Sequence, residues 1–383
     1  MKVFILAGEP SGDKLGGALM AGLKALRPDV SFEGIGGPDM TAEGLQSRFD
    51  MAELSIMGLA EILPRYRSLK ARIRQTADAV LQMQPDVMIT IDSPDFSLRV
   101  AKLVKAQSNI RTVHYVAPSV WAWRPGRAAH MAKYIDHVLA LLPFEPPLMQ
   151  AAGMACDFVG HPVVTDPVAT DEEVSAFRAE SGIGDAPFLL VLPGSRKAEV
   201  ARLGPVFGDA LGLLLARRPQ MRVVVPAAVS VADEVRAAVA DWPGDPLVLD
   251  PRDGGDAKAR KRAAFRAADA ALAASGTVSL ELAAAGTPMV IGYRVNWLTF
   301  RIVKAIALID TVTLVNLVSD TRVVPEYLGP DCTAEGIAEG LQAVLANPEA
   351  QQAAMALTME RLGKGGEAPG LRAARAVLKG MAT

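Results

Sequence analysis

The sequence predicts an α/β protein built of two doubly wound domains, each with a Rossmann-like sheet of parallel strands between layers of helices. Short runs rich in Val, Ile and Leu alternate with longer segments of helical periodicity along nearly all 383 residues. Most of these runs are apolar on both faces, as in strands that helices cover on each side. Glycines, prolines and polar side chains follow several strands at their carboxyl ends, where such folds bind ligands.

Two sets of strands are predicted, one in each half of the chain. In the first half the strand candidates are residues 3–7, 31–35, 87–91, 112–116, 138–142 and 157–159. Prolines and polar residues interrupt the periodicity near residues 160–170. The pattern then restarts, with strand candidates at residues 188–192, 222–226, 247–249, 269–273 and 289–292. Because a chain of this length exceeds one typical core, we predict domains over residues 1–165 and 170–349.

Composition and charge exclude several classes of function. The formal net charge of −2 provides no general attraction for nucleic acid. Cys156 and Cys332 lie far apart, the four histidines lack metal-ligand spacing and no Asp-x-Asp occurs, so we expect a reducing compartment and no metal cofactor. No apolar run is long enough to span a membrane, and residues 1–7 do not form a signal peptide, which predicts a cytoplasmic protein, soluble or peripheral.

A small-residue turn follows the strand candidate at residues 269–273. Ser275, Gly276 and Thr277 lead directly into a helix, whose first N–H groups have no partner within the helix and attract anions. Gly276 allows an anion to approach the backbone, and Glu281, about one turn further on the same face, can accept hydroxyl hydrogen bonds. A diphosphate with its ribose fits this pattern, and an ordinary capped helix behind a strand fits it equally well.

A second phosphate-binding candidate follows the strand candidate at residues 188–192. Ser195 and Arg196 stand at the tip of a glycine turn, where the guanidinium can form paired hydrogen bonds with phosphate oxygens. The alternative is an arginine that points into solvent. Asn316 is a lone polar residue in an apolar segment, and such a residue more often satisfies backbone groups than binds a ligand.

Two loops of the first domain carry candidate groups for catalysis. In the sequence GEPSGD, after the first strand, Gly12 is expected to line a cleft, while Ser11 either caps the following helix or faces that cleft. In the sequence IDSPDF, after the third strand, Asp95 lies further out and is the preferred general base, with Asp92 or Ser93 supporting the turn. The alternative function of either acid is to cap the next helix.

An aromatic and cationic loop follows the strand candidate at residues 112–116. Trp121, Trp123 and Arg124 lie within four positions of one another and can form a platform for a sugar or an acyl chain. Packing of both rings inside the domain is equally compatible with the sequence.

An apolar segment at residues 54–63 is followed by a run of cations. They are Arg65, Arg67, Lys70, Arg72 and Arg74. An apolar knob beside five cations suits an anionic membrane surface, and a solvated helix face with a buried apolar side is the alternative. A second run of cations, at residues 258–266, is interpreted as a solvated helix.

The motifs of both halves form one ordered set along nearly the whole chain. Their positions are residues 8–13, 57–58, 91–96, 119–124, 142–145, 160–161, 192–196, 274–277, 281 and 292–294. Each motif alone is weak, but the ordered set resembles the lipid-A-disaccharide synthase family of inverting glycosyltransferases. The resemblance adds Met57 to the expected acceptor side of the site, with Gly12, Ser11, Trp123 and Arg124.

The resemblance implies a GT-B fold, with two Rossmann-like domains facing across a cleft and a final segment, about residues 350–383, that crosses back to the N-terminal domain. It implies transfer of 2,3-diacylglucosamine from its UDP derivative to 2,3-diacylglucosamine 1-phosphate, forming a β-1,6 bond and releasing UDP without a metal or other cofactor. Asp95 would be the base, Arg196 and Asn316 would lie near the diphosphate, and Glu281 would hold the ribose. Val315 departs from the family pattern, which has proline before the asparagine.

The implied partners are the two acylated sugars and an anionic membrane, with the protein bound peripherally at the inner face of the cytoplasmic membrane. The sequence leaves open whether the protein forms a homodimer. One alternative of the same fold is a UDP-N-acetylglucosamine epimerase or a related lipid-linked sugar transferase; the apolar and basic stretch at residues 54–74 favours an acylated acceptor. A nicotinamide-dependent oxidoreductase would also have two nucleotide-type domains, but the chain lacks G-x-G-x-x-G. A non-catalytic nucleotide-binding protein would leave the acids and the arginine unexplained.

Overall fold

A computed structural model describes residues 1–54 and 59–381, without the side chains of residues 59–66, 298 and 299. Contacts divide the chain into two compact units. The N-terminal unit contains residues 1–165 and the segment from Gly365 onward, and the C-terminal unit contains Asp166–Lys364. Within the described residues, each unit has one six-stranded sheet whose neighbouring strands are all parallel. The predicted class, two doubly wound α/β domains, is confirmed.

The N-terminal sheet is built from the first half of the chain. Its strands are β1 (Lys2–Ala7), β2 (Ser31–Ile35), β3 (Val87–Ile91), β4 (Arg111–Tyr115), β5 (His137–Ala140) and β6 (Ala155–Phe158). The helices around it are α1 (Pro10–Leu26), α2 (Pro38–Ala42), α3 (Leu59–Met83), α4 (Pro94–Lys105), α5 (Gly126–Met131), α6 (Pro146–Ala151) and α16 (Pro369–Met381). The strand order is β2-β1-β3-β4-β5-β6. Its direction reverses between β1 and β3, so ligand-binding loops are expected at the carboxyl ends of these two strands.

The C-terminal sheet has the strand order β12-β11-β10-β7-β8-β9. Its strands are β7 (Phe188–Leu192), β8 (Arg222–Pro226), β9 (Leu247–Leu249), β10 (Ala270–Ala274), β11 (Met289–Tyr293) and β12 (Glu326–Leu328). Its helices are α7 (Asp171–Glu180), α8 (Lys197–Arg217), α9 (Ala232–Val239), α10 (Ala257–Ala267), α11 (Val278–Ala285), α12 (Trp297–Ile306), α13 (Leu314–Ser319), α14 (Ala334–Ala346) and α15 (Glu349–Arg361). Here the order reverses between β7 and β10.

Apolar strands form the centre of each unit. In β1 the side chains from Val3 to Ala7 are buried, and in β10 those from Ala270 to Ala274 are buried, as expected for strands covered on both faces. β12 is absent from the predicted strands because it has three half-buried residues, too few for a recognisable apolar run. Among the described residues, no helix combines the length and the apolarity that crossing a membrane requires.

The last helix returns to the N-terminal unit, later in the chain than the sequence indicated. A Cβ at Gly22 would lie 2.7 Å from the carbonyl oxygen of Gly370, so glycine allows α1 and α16 to pack closely. The predicted return at about residue 350 is corrected to residue 365, because α15 packs against α11 and α13 in the C-terminal unit. Gln351 of α15 also accepts a hydrogen bond from the N–H of Met289, in β11, at 2.8 Å.

Candidate active site

A cavity of about 440 Å³ opens at the carboxyl ends of the strands in the C-terminal unit. It lies where the strand order reverses between β7 and β10, the usual ligand position in such sheets. Ser195 follows β7, while Ser275, Gly276 and Thr277 follow β10, and all four line the cavity. Glu281 of α11 also lines it. The structure therefore brings five of the predicted donor-binding residues together.

The N-terminus of α11 is open in this cavity. Thr277 is its N-cap residue but forms no side-chain capping bond, so the ordinary capped helix that the sequence allowed does not form. Gly276 has φ +153°, and apart from Gly276 itself and its chain neighbours no described atom lies within 4 Å of the position that a Cβ would take. The first N–H groups of α11 therefore face space that an anion can occupy.

Glu199 holds the glycine turn after β7. Its Oε2 accepts a hydrogen bond from the N–H of Ser195 at 3.1 Å, and its Oε1 accepts one from Arg196 Nη1, also at 3.1 Å. Gly194 has φ +124°, and a Cβ there would lie 2.6 Å from the Cβ of Glu199. Arg196 is 61% exposed beside the cavity lining, with its guanidinium held by this carboxylate. Sequence reasoning missed Glu199, although an acid at the third position of a helix commonly bonds back to the preceding turn.

Glu281 forms an ion pair on the cavity wall. Its Oε2 lies 2.6 Å from Lys261 Nζ, and that ammonium lies 4.9 Å from the centroid of the Phe265 ring. The two charged side chains are nearly half exposed, so their pairing orients the carboxylate more than it stabilises the fold. The carboxylate is thereby held about one helical turn from Thr277.

The basic run at residues 258–266 has more specific contacts than the solvated helix that the sequence indicated. Three of its cations line the cavity and two tie α10 to α7. The lining cations are Lys258, Arg260 and Lys261, and the pairs are Arg262 with Glu173 at 3.1 Å and Arg266 with Asp171 at 2.6 Å. The cavity lining therefore includes three cations of α10, together with the acids Glu199, Asp250 and Glu281. Glu199 is paired with Arg196 and Asp250 with Arg236 and Arg252.

Asn316 lies outside the cavity lining and is 1% exposed. Its Nδ2 donates to Thr311 Oγ1 at 3.2 Å and to the carbonyl oxygen of Val324 at 3.0 Å. Its Oδ1 accepts a hydrogen bond from the N–H of Val324 at 3.0 Å. These bonds join α13 to the segment before β12, which matches the backbone-satisfying function noted for a lone polar residue.

In the N-terminal unit, the loop between β3 and α4 carries the two candidate acids. Asp92 and Ser93 have φ values of +48° and +44°, in the left-handed region that only a few per cent of non-glycine residues adopt. Asp92 is half-buried, and this burial raises the pKa of its carboxyl above the ordinary value. Asp95 lies in the first turn of α4 and is exposed. The structure thus places Asp92 in the turn and Asp95 at the surface beyond it.

Ser11 and Gly12 lie within α1, because that helix begins one residue before Ser11. Ser11 is exposed and is not the N-cap residue, and Gly12 is buried, with its Cβ position 3.4 Å from the Cβ of Ala7. Gly12 therefore packs α1 closely on β1, where the sequence predicted a cleft-lining residue. A Cβ at Gly8 would lie 2.6 Å from Ser93 Oγ, so the loops after β1 and β3 meet at the point where the strand order reverses.

Asp13 organises the turn that follows β2, a function that sequence reasoning missed. It is buried, and its carboxylate accepts hydrogen bonds from the N–H groups of Gly37 at 2.7 Å, Asp39 at 2.8 Å and Met40 at 3.1 Å. Its position at the end of the GEPSGD motif is the sequence signal that could have identified it.

The tryptophan loop separates into an anchored ring and an exposed ring. Trp121 donates from Nε1 to Glu145 Oε1 at 3.1 Å and contacts Phe144 edge to face, with ring centroids 5.3 Å apart. Trp123 is 36% exposed, and the guanidinium carbon of Arg124 lies 4.4 Å from its ring centroid. Packing inside the unit therefore describes Trp121, whereas Trp123 and Arg124 form a surface platform.

Glu145 is the buried anchor of this loop. Its second oxygen accepts a hydrogen bond from the N–H of Leu142 at 2.9 Å, and the residue is 4% exposed. Burial raises the pKa of its carboxyl to about 7, although both hydrogen bonds favour the ionised form. The sequence motif contained Glu145, but the partner that it binds is 24 residues away in the chain.

The predicted membrane segment is only partly described. Residues 55–58, which include Met57, lie outside the described residues, and the side chain of Arg65 is not described. Arg67, Lys70 and Arg74 are exposed on α3. Arg72 instead forms an ion pair with Glu53 at 2.8 Å.

The described residues contain no group of three or more His, Cys, Asp and Glu side chains able to hold a metal ion. His114, in β4, is buried and its Nδ1 lies 2.7 Å from Thr90 Oγ1 in β3. Burial lowers the pKa of this histidine to about 4, so it is a neutral part of the sheet packing at neutral pH.

Two six-stranded parallel sheets and a cavity at the strand reversal of the second define a two-domain α/β protein of the GT-B type. Solved structures of similar fold include the UDP-GlcNAc 2-epimerase from Neisseria meningitidis bound to UDP-GlcNAc, with TM-score 0.63, 13% identity and 100% of both chains covered. A second is the S. aureus MnaA–UDP co-structure, with TM-score 0.63, 11% identity, and 98% of this chain and 94% of that chain covered. At these identities the likeness shows the fold alone.

Sequence comparison identifies the family. The family model for lipid-A-disaccharide synthetase matches residues 3–377. The lipid-A-disaccharide synthase of Ruegeria pomeroyi is 71% identical over 380 residues, covering 99% of this chain and 95% of the relative. That of Rhodospirillum centenum is 48% identical over 382 residues, covering 98% and 94%. The chain belongs to the lipid-A-disaccharide synthase family of glycosyltransferases, which confirms the resemblance seen in the sequence.

Proposed function

We propose that this enzyme transfers 2,3-diacylglucosamine from UDP to the 6-hydroxyl of 2,3-diacylglucosamine 1-phosphate, forming the β-1,6-linked disaccharide 1-phosphate and UDP. The proposal joins the family membership to one observation, the cavity that is lined by the turn before α11 and by the cations Lys258, Arg260 and Lys261. That cavity matches the two charged phosphates of UDP, and Glu281 on its wall matches the hydroxyls of the ribose.

The proposed reaction is a single displacement with inversion at the anomeric carbon. The acceptor hydroxyl attacks that carbon while the Asp95 carboxylate takes its proton. The bond to UDP breaks, and the leaving diphosphate carries the negative charge that develops. The N–H groups of residues 276–278 and the Arg196 guanidinium are the fixed donors that would stabilise it, in place of a divalent cation.

The test uses purified full-length protein with defined acylated donor and acceptor in excess EDTA. Mass spectrometry should find the disaccharide 1-phosphate, with UDP released in equal amount. An acceptor lacking the 6-hydroxyl is the matched control and should yield neither product. Absence of the disaccharide would overturn the proposed reaction, whereas formation only after a divalent metal is restored would overturn the metal-independent mechanism.

We further propose that the protein associates peripherally with the inner face of the cytoplasmic membrane through α3. The exposed cations Arg67, Lys70 and Arg74 support this, since basic residues near an anionic surface contribute about 1 kcal/mol each. Reversal of these three charges to Glu should weaken co-sedimentation with anionic vesicles. The control reverses exposed cations of the C-terminal unit, Arg217, Arg218 and Arg222. Equal binding by both triple variants would contradict the proposal, and sedimentation velocity of the same samples measures whether a homodimer forms.

A further inference from the structure

The loop between β4 and α5 carries two arginines that no acid neutralises. Arg124 and Arg127 bound the sequence RPGR, and among the described residues no carboxylate forms an ion pair with either. The chain contains no acidic residue from position 96 to position 135. The acid that ends this stretch, Asp136, is paired with Lys105 at 2.7 Å. Both guanidinium groups are therefore available to an anion that the chain itself does not supply.

A tight turn holds the two arginines close together. The N–H of Arg127 donates to the carbonyl oxygen of Arg124 at 3.0 Å, and Pro125 between them has φ −56° and ψ −29°, as in a type I turn. The first and fourth residues of such a turn lie within about 7 Å of each other, so two long side chains can reach one anion. The backbone between them is open, since apart from the chain neighbours of Gly126 and the backbone of its own helix no described atom lies within 4 Å of the position that a Cβ there would take.

An aromatic ring lies beside the first of these arginines. The guanidinium carbon of Arg124 lies 4.4 Å from the centroid of the Trp123 ring, and both residues are exposed. Contact through the face of a guanidinium leaves the N–H groups at its edge able to donate. Trp121 attaches the start of the loop to Glu145, a buried acid whose carboxylate is occupied by this bond and by the N–H of Leu142. The loop therefore presents a ring for a sugar next to donors for an anion.

This loop leaves the sheet next to the loop that carries the proposed base. β3 and β4 are neighbours, and Ile91 pairs with Tyr115 at their carboxyl ends. The N–H of Asp92 donates to the carbonyl oxygen of Tyr115 at 3.0 Å, so the two segments are still bonded to each other where they leave the sheet. The loop with Asp95 and the loop with the two arginines therefore begin at the same edge, about 4.8 Å apart.

We propose that Arg124 and Arg127 bind the 1-phosphate of the acceptor, with its sugar ring against Trp123. A phosphate monoester suits two unpaired guanidinium groups, each of which can form paired hydrogen bonds with its oxygens. The 1-phosphate and the 6-hydroxyl lie at opposite ends of one sugar ring, which matches a phosphate site and a base on neighbouring loops. The inference rests on the proposed function and assigns the one phosphate of the reaction that the C-terminal cavity does not account for.

The experiment compares two acceptors, the 1-phosphate and the same diacylated sugar with a free 1-hydroxyl, both dispersed in a neutral detergent. Full-length wild type should prefer the 1-phosphate by about tenfold or more in kcat/KM. Arg124→Gln/Arg127→Gln, which keeps much of each side-chain stem, should raise KM for the 1-phosphate by about 10–100-fold and leave the constants for the 1-hydroxyl acceptor unchanged. The detergent contains no other lipid phosphate, so the preference reports on the acceptor alone.

Two further variants are the controls. Arg218→Gln/Arg222→Gln removes two exposed arginines of the C-terminal unit, the same change in charge, and should retain the wild-type preference. Arg124→Lys/Arg127→Lys keeps both charges but loses the paired donors, so its preference should be intermediate. Turnover of the 1-hydroxyl acceptor, together with calorimetric UDP binding, shows that each variant is folded.

The outcomes separate this inference from the proposed function. Equal kcat/KM of the wild type for the two acceptors would overturn the inference without the need for any variant. An equal loss for both acceptors in Arg124→Gln/Arg127→Gln, or the same loss of preference in Arg218→Gln/Arg222→Gln, would also overturn it, while disaccharide formation would still support the transferase. Absence of the disaccharide with either acceptor in the wild type would overturn the proposed function itself.

Discussion

The two units have the same kind of parallel sheet but differ in the side chains that their loops carry. Both place loops where the strand order of a parallel sheet reverses, but the C-terminal loops present backbone N–H groups, glycines and cations around a cavity. In the N-terminal unit the loop after β3 presents carboxylates, on backbone with positive φ at Asp92 and Ser93. The aromatic platform of Trp123 and Arg124 is one strand further along, in the loop after β4. We therefore propose that the C-terminal site holds the anion and that the N-terminal loops perform the proton transfer. Changes to the two should therefore affect binding and turnover separately.

Replacement of Asp95 should have the largest effect. Asp95→Asn keeps the side-chain shape but removes the proposed base, so turnover should fall by about 10²–10⁴-fold, with UDP affinity unchanged. The matched control is Asp92→Asn, in the same loop, which should reduce turnover less. UDP release and calorimetric UDP binding measure the two quantities. A larger loss in Asp92→Asn would transfer the base assignment to Asp92.

Glu145 should make stability depend on pH. Because its pKa is raised in the folded state from 4.5 to about 7, the folded protein retains a proton that the unfolded chain releases. The contribution of this carboxyl to the unfolding free energy should therefore be greatest below pH 4.5 and fall by up to about 3 kcal/mol as pH rises to about 7. Glu145→Gln should remove this slope, although it weakens the bond from Leu142.

Urea denaturation between pH 4.5 and pH 8 measures this slope. Glu335→Gln, an exposed acid of the C-terminal unit, is the control and should retain the wild-type pH dependence. The same slope in Glu145→Gln as in the wild type would show that the carboxyl does not titrate as its burial indicates.

The two glycines that flank α11 offer a test of the preformed anion site. Gly276 (φ +153°) precedes the helix at the cavity, and Gly286 (φ +78°) ends it, so alanine is strained at either position. Gly276→Ala should lower UDP affinity by about 10–100-fold, since strain of about 1–3 kcal/mol is relieved only by moving the N–H groups. Gly286→Ala should reduce stability and leave UDP affinity unchanged. Equal UDP affinity in the two variants would show that the helix terminus does not hold the diphosphate.

Glu281 should have the smallest effect and the most specific one. If its carboxylate accepts hydrogen bonds from both ribose hydroxyls, the wild type should bind UDP about tenfold more tightly than 2′-deoxy-UDP. Glu281→Gln should reduce this preference, while Lys261→Met should lower affinity for both nucleotides with the preference retained. A preference that survives in Glu281→Gln would place the ribose elsewhere.

Residues near one another in the chain were predicted well. The turn from Ser275 to Thr277 and the acid one helical turn beyond it depend only on local geometry, and they meet in the cavity as expected. Pairs distant in the chain were not predicted. Glu145 anchors Trp121 across 24 residues, and Asp13 holds the turn at Gly37 in the same way, because each partner is chosen by strand order and helix packing.

The sequence also did not determine which apolar side chains and glycines are exposed to solvent. A largely apolar segment such as residues 302–309, in which Lys304 is the one charged residue, has the same composition whether it is buried or exposed. Only the packing of Phe300 on Gly329 reveals which side of α12 contacts the rest of the unit. Gly12 illustrates the converse, since a glycine expected at a cleft is buried where α1 approaches β1.

The sequence by itself determined the two parallel-sheet units, the family and the local form of each binding turn, because apolar periodicity and turn residues act over a few positions. The tertiary structure alone decided which charges meet in the cavity, which tryptophan is anchored, where the chain returns to the first unit and which apolar helix face is exposed. These depend on contacts between segments far apart in the chain, whose free energies are set by burial and by partners that local sequence does not specify.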